Sequence, residues 1–251
     1  MDWVRDFYTK QDQWAGVFSG RIDAFHQERA FWVDLALDGR VGRVLELGCG
    51  GGQTAAAIAE AGHWVVAVDL NARAIEVALR RAEGRYEGRL QPVLADFFTF
   101  EPDEPFDLVC YFDGFGVGED EDQRRLLERI SAWLVTGGVA LIEVYTPWYW
   151  ARAAGQQMTF GSASRRYAFD AEGGRLLDTW WPHGHPEEAV TQSLRCYGPA
   201  DLCLLLRGTG LDLVDLRSGG AVDVATGEYC DQVPLESAMS YVATLRRAAD
   251  S

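Results

Sequence analysis

The 251-residue sequence predicts an α/β fold: a doubly wound, mainly parallel sheet with helices on both faces. Two observations predict it. From residue 41 onward, short apolar runs of strand length alternate with segments of helical period. The runs are apolar at consecutive positions, which means burial on both faces and parallel neighbours. A third observation marks where such a sheet is used. VLELGCGGGQT, residues 44–54, sets four glycines in five positions straight after an apolar run. Glycine is costly in regular structure and is kept where a side chain would collide with something close to the backbone.

Taken in order, RVLELG (43–48) is the first core strand, and QTAAAIAEAG (53–62) is a helix closed by Gly62. HWVVAVDL (63–70) is the second strand; NARAIEVALRRAEG (71–84) is a helix with Asn71 as N-cap and Gly84 at its end. LQPVLADF (90–97) and FDLVCYFDG (106–114) are the third and fourth strands. Glu119 to Asp122 open the helix QRRLLERISAWLVTGG, where negative charge suits a helix N-terminus, and VALIEVY (139–145) is the fifth strand. After Pro147 the pattern changes to SRRYAFDA, RLLDTWWP and AVTQSLRCYG with turn signals between them, a three-stranded antiparallel meander over residues 163–197. PADLCLLLRGTG (199–210) returns to helix, and LDLVDLR (211–217) and SYVATLRRA (240–248) complete a seven-stranded sheet. The first 40 residues are helical and aromatic. The organisation is a helical cover (1–40), a core (41–147), an antiparallel insert (148–197) and a completion of the core sheet (198–251).

The net charge of -15 argues against nucleic acid, which needs a basic stripe; Lys10 is the sole lysine. Five scattered cysteines without a C-x-x-C pair give neither a zinc framework nor a disulfide framework. The opening MDWVRDFYTK is not a signal peptide, and no apolar run is long enough for a membrane. A cytoplasmic protein with a small-molecule partner is the expectation. Oligomeric state is left open by these patterns.

The spacing Glu46-x-Gly48-x-Gly50-x-Gly52 departs from the dinucleotide pattern G-x-G-x-x-G, which has an apolar residue at the place of Glu46. It resembles motif I of the class I S-adenosylmethionine-dependent methyltransferases, of Rossmann-like fold. The small-molecule enzymes with an insert after strand five, akin to the glycine and sarcosine N-methyltransferases, are the nearest match. The resemblance covers roughly residues 41–147 and 196–217. It implies S-adenosyl-L-methionine as cofactor, an acid for the ribose at Asp69 and an acid for the adenine amino group at Asp96. Gly48, Cys49, Gly50, Leu70, Phe97 and Phe112 complete the implied cofactor contacts, with Tyr8 and Trp14 closing the pocket from the N-terminal helices. A ligand outside the carboxyl ends of a parallel sheet would meet all three acids.

Methyl transfer is an in-line displacement, so alignment and dehydration can do much of the work, and a protonated acceptor additionally needs a base. Glu143 and Tyr145 share one face of strand five by period two, and a carboxylate in a buried strand needs a partner. His183 and His185, flanking Gly184 in TWWPHGHPEE, are the imidazole candidates. These four are the catalytic candidates, with Asp113, Arg195 and Tyr197 nearby in the pattern and Asp113 equally readable as a turn former. No metal-binding acid pair of the catechol type is present, so no metal is expected. Trp148, Tyr149, Trp150, Trp180 and Trp181 on the insert suit a flat, apolar or cationic acceptor, an aromatic or amine-containing metabolite. Two other readings stay open: a nicotinamide oxidoreductase, and a module that binds S-adenosylmethionine without turnover.

Overall fold

The computed structural model describes residues 2–223 and 226–247. Two helices, α1 (Asp2–Ala15) and α2 (Ala24–Ala36), lead into an alternation of β1 (Arg43–Leu47), α3 (Gln53–Glu60), β2 (Trp64–Asp69), α4 (Ala72–Ala82), β3 (Leu90–Leu94) and β4 (Phe106–Tyr111). Then come α5 (Asp120–Trp133), β5 (Leu134–Tyr145) and α6 (Pro147–Ala153). The insert holds β6 (Gln157–Phe160), β7 (Ala163–Asp170), β8 (Arg175–Pro182) and β9 (Val190–Arg195). The chain ends with α7 (Pro199–Leu206), β10 (Leu211–Ser218), the short β11 (Ala221–Val222) and β12 (Tyr229–Cys230), and β13 (Ser240–Arg247). Ser240–Arg247 covers the expected last strand except Ala248, which lies outside the described residues.

The central sheet has seven strands in the order β10-β13-β5-β4-β1-β2-β3, and β13 alone runs antiparallel to its neighbours. Strand order reverses between β1 and β4, so the carboxyl ends part there and leave a crevice. Period two decides which side chains face which helices. Leu45 and Leu47 join α5 and α7 residues in one core, whereas Val44, Leu108 and Leu141 join α2 and α3 in the other. Glu46 follows Val44 onto the α2 side, and Glu143 follows Leu141 onto the same side.

Two expectations are corrected. The insert's sheet has four strands, in the order β6-β7-β8-β9, rather than three. All four residues of β6 are exposed at the edge, so the stretch QMTF carries no alternation to read. The helix expected to run through LVTGG stops at Trp133, and β5 already pairs with β4 at Leu134. Asn71 caps α4 as the sequence predicts, accepting from the backbone N–H groups of Arg73 and Ala74.

The N-terminal helices are fastened over the crevice. Asn71 Nδ2 donates to Thr9 Oγ1 at 2.9 Å, Phe18 N donates to Asp12 Oδ1 at 2.9 Å, and Arg73 pairs with Asp12. At Gly51 a Cβ would lie 1.9 Å from the Phe18 carbonyl oxygen, so the turn after α1 rests directly on the glycine loop. No side chain can stand between them.

Candidate active site

A cavity of about 260 Å³ opens outside the carboxyl ends of β1, β2, β3 and β4. Tyr8, Glu46, Gly48, Cys49, Gly50, Asp69, Leu70, Asp96, Phe97 and Phe112 all line it. Trp14 does not. On α1 the face carrying Val4, Tyr8 and Gln11 looks into the cavity, while Trp14 lies seven residues from Phe7 and packs with it against Ala163 and Trp180 of the insert.

Gly50, at φ 53°, donates its N–H to Asp69 Oδ2 at 2.9 Å, and Asn71 N donates to Asp69 Oδ1 at 2.8 Å. The carboxylate expected to meet the ribose is therefore held by the glycine loop and by the start of α4. Burial raises its pKa against those backbone donors. Asp96 is exposed beyond β3 and accepts from Phe98 N at 2.8 Å, with the Phe97 ring edge-on to Tyr111 at 5.6 Å. Acids and flat apolar rings at the ends of adjacent strands are what an adenosine requires.

Glu46 is 4 % exposed, and its Oε2 has no hydrogen-bond partner. Burial, with the Asp69 charge adding, pushes its pKa up to about 8, although the Arg29 charge opposes this. Arg29 comes from α2, is 6 % exposed, and leaves its Nε without a partner. Its guanidinium lies 4.0 Å from the Phe25 ring centre and 4.8 Å from that of Phe112. An unpaired buried acceptor and an unpaired buried donor lining one cavity fit the ammonium and carboxylate of a free amino-acid end.

Arg29 also reaches the strand-five side, where its Nη2 donates to Glu143 Oε2 at 2.5 Å. Glu143 further accepts from Ser240 Oγ at 2.9 Å and from Asp113 N at 3.2 Å. Both its oxygens are committed, which makes Glu143 an anchor for Arg29 rather than a free base. Tyr145 donates its hydroxyl to Asp113 Oδ1. Asp113 holds φ 56° and keeps an exposed surface, although protein groups crowd around its carboxylate. Burial and the Glu143 charge raise its pKa, opposed by Arg29.

A second cavity of about 320 Å³ adjoins the first, and both are lined by Tyr8, Gln11, Val17, Arg29 and Asp113. Glu143 and Tyr145 line this one, under Arg165, Tyr167, Asp178 and Trp180 of the insert. His183 and His185 line neither cavity. They are exposed in the turn between β8 and β9, where His183 Nδ1 meets Ser164 Oγ at 3.2 Å and His185 Nδ1 meets Glu187 Oε1 at 3.1 Å. His185, Glu187 and Glu188 could approach one ion among the described residues, but all three are exposed and outside both cavities. Tyr197 and Arg195 bind Asp120 instead of the site. His183→Ala and His185→Ala are accordingly expected to leave cofactor affinity and turnover within about twofold of the parent, as for exposed positions generally; a tenfold loss of turnover in either variant would restore that histidine to the site.

Sequence reasoning missed Arg29 and His26. Arg29 stands in line with Val33 and Leu37 on the buried face of α2, a charge where the period demands an apolar residue. His26 lines the first cavity and shares a capping box with Asp23.

The methyltransferase-domain family matches residues 44–138, the stretch from β1 to the middle of β5 that carries the glycine loop, Asp69, Asp96 and Asp113. Over this segment the chain is similar to the S-adenosylmethionine-dependent methyltransferases. The methyltransferase domain is 36% identical over 121 residues to the cypemycin N-terminal methyltransferase of a Streptomyces species, 47% of this chain and 47% of that protein. The match thus spans about half the length of that relative. Two solved structures resemble the chain over nearly its whole length. The CcbJ methyltransferase of Streptomyces caelestis has a TM-score of 0.71 at 20% identity, covering 98% of this chain and 96% of its own. The 1,6-didemethyltoxoflavin-N1-methyltransferase of Burkholderia thailandensis, solved with its acceptor and S-adenosylhomocysteine, has a TM-score of 0.63 at 20% identity over 98% and 88%. At that identity the likeness shows the fold. S-adenosylmethionine is the cofactor of the methyltransferase domain, and the residues lining the first cavity fit it.

Two measurements follow. Asp69→Ala should weaken S-adenosylhomocysteine binding by about 2–3 kcal/mol, the scale for charge-assisted hydrogen bonds to hydroxyls. Unchanged affinity in a folded variant would take Asp69 out of the ribose site. The second concerns Glu46, whose folded pKa of about 8 leaves it mostly protonated at pH 7. An ammonium placed beside it favours the ionised form, so its pKa falls on binding and up to about one proton is released. Calorimetry at pH 7 in buffers of different ionisation enthalpy reads this directly. Identical enthalpies in phosphate and Tris would mean that Glu46 does not face the ammonium.

Proposed function

We propose that the chain is an S-adenosylmethionine-dependent methyltransferase that acts on a small molecule seated in the second cavity, with nitrogen as the acceptor atom. The observation that carries this reading is the junction of the two cavities at Tyr8, Arg29 and Asp113, on the carboxyl ends of the sheet. A donor and an acceptor in adjoining chambers can meet in line without crossing solvent. When bound, S-adenosylmethionine supplies a methyl group on a positively charged sulfur.

The residues of the chain do the rest. Asp69 and Asp96 hold the adenosine, and Glu46 and Arg29 hold the amino-acid end. The glycine loop lets the backbone come close. Helices α1 and α2 roof the site and exclude water, which strengthens the electrostatics inside. Nitrogen is favoured because the toxoflavin enzyme is named for methylation at N1 and the cypemycin enzyme for methylation at an N-terminus, where a free chain carries an amine. A small acceptor is favoured over nucleic acid by the net charge of -15.

The test is incubation with methyl-labelled donor and a panel of small amines, phenols and thiols, with products resolved by mass spectrometry. Label in an amine product supports the reading. Label confined to phenols or thiols overturns the choice of nitrogen. Donor binding with no transfer to any panel member favours a non-catalytic binding module.

A further inference from the structure

We propose that the second cavity receives its acceptor as a protonated amine on an aromatic or apolar body, and that Asp113 is the carboxylate that binds the ammonium and takes its proton. The inference rests on the methyltransferase reading and narrows it.

The charges lining the cavity decide the ligand's sign. Its two arginines are already used: Arg29 pairs with Glu143, and Arg165 grips Asp178 with Nε donating to Oδ1 at 3.1 Å. Asp178 also accepts from Trp180 Nε1 at 2.8 Å. Three carboxylates remain that make no ion pair among the described residues: Asp113, at the junction with the first cavity, and Glu28 and Asp231, which line the second cavity alone; all three are exposed. Aromatic rings line the same cavity, with Tyr8, Tyr145, Trp150 and Trp180 among them. Surplus acid over aromatic faces attracts a cation, and the faces themselves favour one. An anionic acceptor would be repelled by all three, and a neutral one would leave Asp113 without a counter-charge.

Geometry singles out Asp113 from the three. It alone lines both cavities, so a nitrogen resting on it stands at the passage to the donor. The unpartnered Nε of Arg29 lies at the same junction and keeps that end of the passage polar. Asp113 is fixed from two sides, its N–H on Glu143 and its Oδ1 receiving the Tyr145 hydroxyl. Tyr145 is therefore a positioning residue for the carboxylate. Its own hydroxyl is a poor base, since burial and Asp113 push its pKa far above the usual phenol value.

The step balances. The ammonium gives one proton to Asp113, which becomes a neutral carboxylic acid. The nitrogen lone pair so freed bonds to the methyl carbon as the carbon–sulfur bond breaks, its electron pair leaving with the sulfur. The product is a methylated ammonium, and Asp113 loses its proton to solvent after release.

The test is a binding measurement that needs no turnover. In the presence of S-adenosylhomocysteine, phenethylamine and 2-phenylethanol are titrated calorimetrically into the protein; they have the same size and ring and differ in charge. The expected result is a preference for the amine of at least about tenfold, the worth of one desolvated carboxylate contact. Asp113→Asn should remove the preference while S-adenosylhomocysteine affinity stays, because Asn tolerates the left-handed backbone that Asp113 holds. Glu28→Gln, in the second cavity alone, should keep it. Equal affinities in the unaltered protein, binding of neither probe, or a preference that survives in Asp113→Asn would each overturn the inference. Failure of S-adenosylhomocysteine itself to bind would instead bring down the methyltransferase reading.

Discussion

Valine in place of Gly50 is expected to abolish S-adenosylhomocysteine binding, with affinity lowered at least about a thousandfold, while the far-ultraviolet spectrum stays native-like. Gly50 sits at φ 53°, where a β-branched side chain is a severe outlier. The strain alone, on the order of 1–2 kcal/mol, would not reach that figure. The remainder comes from place. A Cβ there would approach the protein no closer than 3.6 Å, to the Phe18 ring, so the space it would enter is that of the cavity. Relaxing the backbone would also move the N–H that Asp69 accepts. Gly39→Val separates the two causes. Gly39 has φ 67° with nothing within 4 Å of an added Cβ, so it carries the strain without the ligand. That variant should lose a similar amount of stability and bind normally. Near-normal binding by Gly50→Val would make the loop a purely structural turn.

Glu143→Ala should destabilise the fold by about 3–5 kcal/mol, the cost of leaving a buried charge without its partner. Arg29 is held between two aromatic rings under the roof of α2, and Glu143 is its sole carboxylate partner among the described residues. Removing the carboxylate also strips an acceptor from Ser240 and from the Asp113 backbone. Urea denaturation monitored by tryptophan fluorescence reads the loss. Arg29→Met with Glu143→Leu should recover much of it, because replacing a whole buried pair by apolar side chains of similar volume is far milder than halving it. A Glu143→Ala protein as stable as the parent would show that water reaches Arg29 and that the pair is not buried in solution.

The core fold was legible because parallel strands buried on both faces leave an unmistakable apolar run, and because β1, β2 and β3 each end near an acid. The residues that line the first cavity were legible for the same reason: most of them follow strand ends, and strand ends are local features. What depended on distant elements was harder to read. Trp14 and Tyr8 share a helix, and only the position of the insert decides that Trp14 packs with Phe7 and Trp180 while Tyr8 lines the first cavity. The exposed edge strand β6 gave no alternation. The histidines drew notice through their chemistry, yet the length of β8 carries them out to an exposed turn. Arg29 was hidden because a charged residue on a helix usually means solvent. Its meaning depends on Glu143, more than a hundred residues away on the facing strand.

Diffraction from crystals grown with S-adenosylhomocysteine tests the central claim most directly. The ligand is expected in the first cavity, with its adenine against Asp96 and Phe97, its ribose hydroxyls on Asp69, and its amino-acid end between Glu46 and Arg29. Its sulfur should then face Asp113 and the second cavity. A ligand bound elsewhere, or lying in the cavity with its amino-acid end turned away from Glu46 and Arg29, would contradict the account.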